Sequence, residues 1–230
     1  MWEKLPITGL TPFTFQDYPD HTACILWFAG CNMACGYCHN PELVRGTLRK
    51  LPQDRIASFL ESRRGKLEGA VLSGGECTLA HALPDLAAYL KALGYKVKVD
   101  TNGTCPERIE RLLADRLVDF IALDFKAPPE KFEAITGSRH WTRFVKTLRL
   151  LSSSAIGREI RTTVHADYLG RSDIETIMSI LVDEGYSGRF VLQKFRPGIT
   201  LKHLTAPERD IDLSGLKAAG LDIRYRNFDA

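Results

Sequence analysis

Long apolar runs are missing from this 230-residue chain: no uninterrupted hydrophobic stretch reaches the ~20 residues that a bilayer-spanning helix needs. That argues against a helical membrane protein. The opening Met-Trp-Glu-Lys-Leu-Pro has no apolar leader core, so the expected location is the cytoplasm. Charge of one sign is also scarce. A net charge of +3, with Arg and Lys dispersed, is too slight to point to nucleic acid, and pairs such as Arg63-Arg64 read as solvated helix ends. Low-complexity segments and Gly/Ser linkers are lacking, while 44% hydrophobic and 26% charged residues are ordinary for a globular protein. One domain over 1–230 is expected: an extended N-terminal segment (1–21), a core (22–200) and a C-terminal extension (201–230).

Six cysteines in a reducing compartment are free for metal or chemistry rather than disulfides. Half of them sit in Gly30-Cys31-Asn32-Met33-Ala34-Cys35-Gly36-Tyr37-Cys38-His39-Asn40-Pro41, a C-x3-C-x2-C array flanked by Gly and Pro. Three thiolates are one too few for a closed zinc site, whereas on a [4Fe-4S] cube they leave one iron open to a small molecule. His39 is the best fourth ligand under a zinc reading, but its place beside Cys38 makes it read more simply as the loop exit. Cys24 reads as a core thiol, and Cys77 and Cys105 as bystanders beyond strand ends.

The flanking pattern alternates strand and helix. Residues 6–20 read as an extended lead-in or short hairpin, and the apolar run from Thr22 through Phe28 as a parallel strand covered on both faces. A helix follows from about Pro52 to Gly65, then a strand at Ala70–Leu72. The Leu83/Leu86/Leu90/Leu93 stripe forms the next helix, and Lys96–Val99 a strand ending in Asp100-Thr101-Asn102-Gly103. Pro106 opens a helix, Asp119–Lys126 is a strand, and Phe144–Leu151 a helix. Glu159–His165 is a strand, a helix is capped by Ser172 or Asp173, and Phe190–Phe195 is the sixth strand. A weaker helix after Pro207 and a last strand near Ile223 complete the chain. Six strand–helix units predict an α/β fold, an open partial (β/α)6 barrel. Its polar strand ends then fall at one rim: the three cysteines, Ser73-Gly74-Gly75-Glu76, Asp100, Thr101, Asn102, Asp124, Lys126 and Gln193. Gly-Gly turns are commonplace and strand-end carboxylates often only cap helices, so it is the convergence that carries the functional reading. His165 and His203 have no partner that the sequence reveals.

The array, with Tyr37 before its last cysteine, and the Gly-Gly-Glu turn one unit later resemble the radical S-adenosylmethionine (SAM) enzymes. Phe15-Gln16-Asp17-Tyr18-Pro19, Gly30-Cys31-Asn32, Tyr37 to Pro41, Ser73 to Glu76, Asp100 to Gly103 and Leu123-Asp124-Phe125-Lys126 together resemble the activating proteins of anaerobic ribonucleoside-triphosphate reductase. Neighbouring glycyl-radical-enzyme activases share these motifs. Cys77 stands where Pro is common, and Asp20 where Gly is usual. The resemblance implies one [4Fe-4S] cluster on Cys31, Cys35 and Cys38. It also implies SAM held by Tyr37, Gly74, Gly75, Glu76, Asp100, Thr101, Asn102, Asp124, Lys126 and Gln193, and in some members a monovalent cation. The implied partners are a glycyl radical enzyme and reduced flavodoxin or ferredoxin as electron donor. No residue beyond these is implied to be catalytic. Asp17-Tyr18-Pro19 is expected on the docking surface by position. A small-molecule enzyme like the 7-carboxy-7-deazaguanine synthases, or a non-enzymatic iron–sulfur or zinc protein, are the competing readings.

Overall fold

The computed structural model describes residues 2 and 5–228. The ends of the expected domain and part of the leader region (Met1, Glu3, Lys4, Asp229, Ala230) lie outside the described residues. The strands are β1 (Ile7–Thr14), β2 (Ala23–Phe28), β3 (Gly69–Gly74), β4 (Lys96–Thr101), β5 (Phe120–Asp124), β6 (Gly157–Val164), β7 (Gly188–Lys194) and β8 (Leu221–Arg226). They follow one another in the sheet in chain order, with β1 and β8 as its two ends, so the sheet is open. β1 lies antiparallel on β2, whereas β2–β3, β3–β4, β6–β7 and β7–β8 are parallel. The helices are α1 (Pro41–Arg45), α2 (Gln53–Arg63), α3 (Leu83–Ala92), α4 (Pro106–Ala114), α5 (Pro129–Thr136), α6 (Trp141–Ser152) and α7 (Arg171–Asp183). Six strands from β2 to β7 alternate with helices, as the α/β reading expects.

The extended reading of the lead-in holds, since β1 is a strand paired antiparallel with β2. Three local readings are corrected. The tail after Pro207 forms turns instead of a helix: the Asp212 carboxylate accepts the Ser214 N–H at 2.8 Å, and Gly215 takes φ +68. Such a side chain–backbone bond competes with helical hydrogen bonding. The cap of α7 is Gly170, and Asp173 acts from the first turn, its carboxylate accepting the Gly170 N–H at 2.7 Å. Finally, α1 and α5 were not foreseen. For α5 the signals were present, since Pro129 opens it and Gly137 closes it at φ +67.

By packing the chain divides into two compact units. The first comprises Met1–Asn32, Glu42–Thr101 and Glu107–Ile121; the second comprises Met33–Pro41, Asn102–Pro106 and Ala122–Ala230. In the first, β2 and β3 are apolar on both faces because helices and neighbouring strands cover them, and Cys24, Leu26, Ala70 and Leu72 are fully buried. Tyr18 packs with Ala23, Ile25 and Val71, against Trp27 and Phe120. Gly69 makes room for its ring: a Cβ there would lie 2.7 Å from Tyr18 Cδ1. Tyr18 is only 2% exposed, so the expected docking role for it is corrected. In the second unit, Phe125, Phe132, Trp141 and Phe144 form an aromatic cluster with centroids 4.7 Å (Phe125–Phe144) to 6.1 Å (Phe132–Phe144) apart, fixing α5 and α6 on the end of β5.

Truncation of a buried ring leaves a cavity as well as losing transfer energy, so Tyr18→Ala is expected to destabilise the protein by about 3 kcal/mol in urea unfolding. A loss below about 1 kcal/mol would contradict this packing role.

Candidate functional site

In the first unit the chemistry-bearing residues follow β2, β3 and β4. β2 runs out at Phe28, and the chain turns through Gly30 into Cys31; the Gly30 N–H donates to Leu43 O at 2.7 Å. The turn after β3 docks on this exit. Gly75 N–H donates to Phe28 O and Glu76 N–H to Gly30 O, both at 2.8 Å. Only glycine permits that approach: a Cβ on Gly74, at φ +133, would meet Phe28 O at 2.2 Å, and one on Gly75 would meet Gly30 O at 2.1 Å. The Glu76 carboxylate is buried and accepts Thr78 N–H at 3.1 Å and the Thr101 hydroxyl at 2.8 Å, through one oxygen. Cys77, next in line, is fully buried, and its thiol donates to Leu72 O and Asp100 O at 3.4 Å. A thiol thus fills this position as a packing group that ties β3 to β4.

Asp100 does not merely cap a helix. Its carboxylate accepts the Ser73 hydroxyl at 3.0 Å and pairs with Lys98 Nζ at 2.5 Å. Lys98 is 1% exposed, and its ammonium also faces the Phe120 ring, 5.8 Å from the centroid. Sequence reasoning placed Lys98 only in an alternating strand. The hint was a Lys two residues from an Asp in a strand, which puts both on one face.

In the second unit the cysteine loop is folded tightly. Cys38 N–H donates to Cys35 O at 3.0 Å, closing a turn between these two cysteines, and Ala34 N–H donates to Thr136 O at 2.7 Å. From the loop after β7, Leu201 N–H reaches Cys38 O at 3.0 Å and Lys202 N–H reaches Gly36 O at 3.1 Å. His39 stacks on Phe195 with centroids 5.5 Å apart. Burial pushes the Cys35 thiol up, the Lys126 ammonium pulls it down, and Cys38 and Asp124 add to the rise. Tyr37 is buried beside Cys35, its hydroxyl directed at Lys126 O at 3.4 Å; burial, then Cys35 and Asp124, raise its pKa well above the usual phenol value.

Asp124, at the end of β5, lies between two cations: Arg161 Nε at 2.8 Å and Lys126 Nζ at 2.9 Å. Burial would push its carboxyl up, but Arg161 and Lys126 outweigh that and hold it well below the ordinary carboxylate range. For Lys126 burial opposes the charge, and Asp124 first, then Cys35, push its pKa above the usual lysine value. Arg161, on β6, was missed by sequence reading and had no motif to reveal it. Asn102 is buried, its side-chain carbonyl accepting Thr104 N–H at 3.0 Å and the Thr104 hydroxyl at 2.7 Å, which fixes the turn after β4. Gln193 is half-buried on β7, in register with Thr163 of β6 and Arg226 of β8.

Of the remaining residues, Cys24 is buried in β2 and burial pushes its thiol up to about 12. Cys105 is half-buried. His165 gains the partners that the sequence did not reveal: Thr205 O at 3.2 Å and the rings of Tyr168 and Phe195. His203 is exposed at φ +53.

The donor set suits an iron–sulfur cube. Among the described residues no group of three or more His, Cys, Asp or Glu is gathered so that it could hold one metal ion. The ligands of a cube bind separate irons and need not converge on a point. Its donors are soft thiol sulfurs from one loop, and the Lys126 ammonium opposes in part the burial that keeps Cys35 protonated.

Comparison with known proteins gives a consistent picture. The family model described as "Radical SAM superfamily" matches residues 25–181. A Methanocaldococcus jannaschii protein, provisionally named as a glycyl-radical enzyme activating enzyme, is 30% identical over 200 residues, covering 84% of this chain and 81% of that one. A 7-carboxy-7-deazaguanine synthase of Aquifex aeolicus is 33% identical over 75 residues, a third of each chain. The solved structure of Streptococcus suis SuiB bound to S-adenosylmethionine superposes with TM-score 0.63 at 16% identity, over 81% of this chain and 45% of that one. This chain thus spans less than half of SuiB, and the likeness is one of fold.

A carboxylate held below its ordinary pKa contributes stability that is present above the unfolded value and is lost as pH falls through the folded one. For Asp124 that loss lies below the usual carboxylate range. Arg161→Met removes one of its two cations, so acid unfolding followed by circular dichroism is expected to begin at higher pH than in the wild type. An unchanged acid limb would contradict the assigned pairing.

Proposed function

Because the chain belongs to the Radical SAM superfamily, we propose that it is an activase that generates a glycyl radical on a partner enzyme, anaerobic ribonucleoside-triphosphate reductase. In this reading Cys31, Cys35 and Cys38 hold a [4Fe-4S] cluster. The chemistry that cluster and SAM supply together is one-electron cleavage of the sulfonium S–C5′ bond, giving methionine and a 5′-deoxyadenosyl radical. The radical takes one hydrogen atom from a glycine Cα of the partner, so 5′-deoxyadenosine leaves and the unpaired electron stays on the glycine.

The observation that carries the SAM reading is the bond from Glu76 N–H to Gly30 O, which fixes the Gly-Gly-Glu turn against the residue that precedes Cys31. Gly74 and Gly75 leave backbone accessible to a methionyl ammonium, and Thr78 and Thr101 orient the Glu76 carboxylate near it. Asp100, Thr101 and Asn102 follow β4 and are assigned to the nucleoside. Lys126 is assigned to the methionyl carboxylate, with Asp124 and Arg161 fixing its position. Tyr37 and Gln193 complete the SAM contacts by position. Asp100 and Asp124 already face internal cations, so a monovalent cation is not needed to balance them. For the activase, support comes from the reach of the likeness: 84% of the chain is matched by the activating-enzyme relative, against 33% by the synthase.

Anaerobically reconstituted Cys35→Ala is expected to lose the iron–sulfur absorbance and 5′-deoxyadenosine formation, whereas Cys24→Ala keeps both. Retention of either by Cys35→Ala contradicts the ligand assignment. With anaerobic ribonucleotide reductase, reduced protein and SAM, a glycyl doublet in electron paramagnetic resonance is expected. If 5′-deoxyadenosine forms but no glycyl radical enzyme gives a doublet, the small-molecule reading takes over.

A further inference from the structure

From Arg189 to Pro207 the sequence carries Arg189, Lys194, Arg196, Lys202 and His203, and no Asp or Glu. The next acidic residue, Glu208, has its N–H held by Asp167 at 3.1 Å. This basic segment, which leads out of β7, is fastened to the cysteine loop by the Leu201 and Lys202 N–H bonds to Cys38 O and Gly36 O at 3.0 and 3.1 Å. A third tie is the stack of His39 on Phe195. The cysteine loop contains no Asp, Glu, Lys or Arg between Gly30 and Pro41. Arg189 is paired with Glu159 at 3.9 Å, so the basic character of the segment that clasps the loop rests on the exposed Lys194, Arg196 and Lys202. At its turn, Arg196, Pro197 and Gly198 are exposed, and Ile199 is 76% exposed, an apolar side chain on a basic surface.

We propose that the Arg196–His203 loop is the docking surface for an acidic one-electron carrier protein. That the partner is an electron carrier rests on the radical SAM reading; that it is acidic rests on the charge of the loop. Exposed Arg196 and Lys202 steer an acidic partner and set its orientation, and Ile199 supplies the apolar contact that a short-lived redox encounter needs at its centre. The carrier loses one electron, which S–C5′ cleavage consumes. The route is short in covalent and hydrogen-bonded terms, because the loop's own N–H groups bond the carbonyls of Cys38 and Gly36. Nucleic acid is a poorer fit, since the exposed basic side chains are few and no aromatic side chain is exposed among Arg196–His203.

The test uses reconstituted full-length protein and an acidic flavodoxin as probe. Three quantities are compared for the wild type and the Arg196→Glu/Ile199→Asp double variant. They are 5′-deoxyadenosine formation driven by photoreduced flavodoxin, the same reaction driven by dithionite, and the affinity for oxidised flavodoxin in a titration across salt concentrations. The expected result is a drop of roughly tenfold in the flavodoxin-driven rate and in affinity, with the salt dependence flattened and the dithionite-driven rate unchanged. An unchanged flavodoxin-driven rate and affinity overturn the proposal. Equal loss with both reductants also overturns it, because the loop would then be holding the site together instead of receiving a partner. If wild-type protein binds flavodoxin in a salt-dependent way that the double variant lacks, yet cleaves no SAM with dithionite, the docking surface stands and the radical SAM activity fails.

Discussion

Two stretches of backbone meet in the first unit with no side chain between them: the exit of β2 at Phe28–Gly30 and the turn after β3 at Gly74–Glu76. Each needs the other. Leaving a strand strips the chain of its ladder partners, and buried N–H and C=O groups left unpaired cost about 1–3 kcal/mol each. Here Gly75 N–H and Glu76 N–H satisfy Phe28 O and Gly30 O at 2.8 Å. The arrangement is possible because Gly74 and Gly75 lack a Cβ, which would otherwise lie 2.1–2.2 Å from those oxygens. One backbone interaction therefore fixes where the chain departs toward Cys31 and where the Gly-Gly-Glu turn presents its polar groups.

The second constraint is countercharge. Placing Asp100 and Asp124 near strand ends inside a fold would be costly unless each met a cation. Each does, and in each case the partner lies two residues away on the chain: Lys98 at 2.5 Å and Lys126 at 2.9 Å. Asp124 has Arg161 in addition, at 2.8 Å. Side chains at i and i+2 share a face of an extended chain, so this pairing follows from local geometry and needs no long-range accident. It also leaves the carboxylates charged and oriented, which suits them to accept hydrogen bonds from hydroxyl or ammonium groups.

How far the sequence could be read follows from the same physics. Strands β2 and β3 were legible as apolar runs ending in Gly and polar residues, and β4 by its alternation of Lys and Val. The three-cysteine loop and the Gly-Gly-Glu turn were legible because their chemistry depends on residue type at fixed local spacing. Lys98 and Arg161 were not, since a lone cation in a strand looks the same whether it points to water or to a buried carboxylate. Tyr18 misled for a related reason: a Tyr between Asp17 and Pro19 looks like surface, and only the space above Gly69 reveals that the ring is buried. The tail after Pro207 looked helical by composition, but Asp212 and Gly215 commit it to turns.

The loop after β7 illustrates what neither motif nor periodicity encodes. A loop rich in glycine and small residues, as Gly30–Pro41 is, satisfies only part of its own backbone, as in the Cys38 N–H to Cys35 O bond. Partners must come from elsewhere in the chain. They come from Leu201 and Lys202, more than 160 residues away in sequence, together with Thr136 of α5, which accepts from Ala34 at 2.7 Å. The segment that performs this backbone task also packs on the loop, with Phe195 stacked on His39 and the Lys202 stem lying over Gly36, while Arg196 and Ile199 stay exposed. The basic and apolar character of those two is then not explained by holding the fold together, and a role in meeting another molecule accounts for it with the fewest further assumptions.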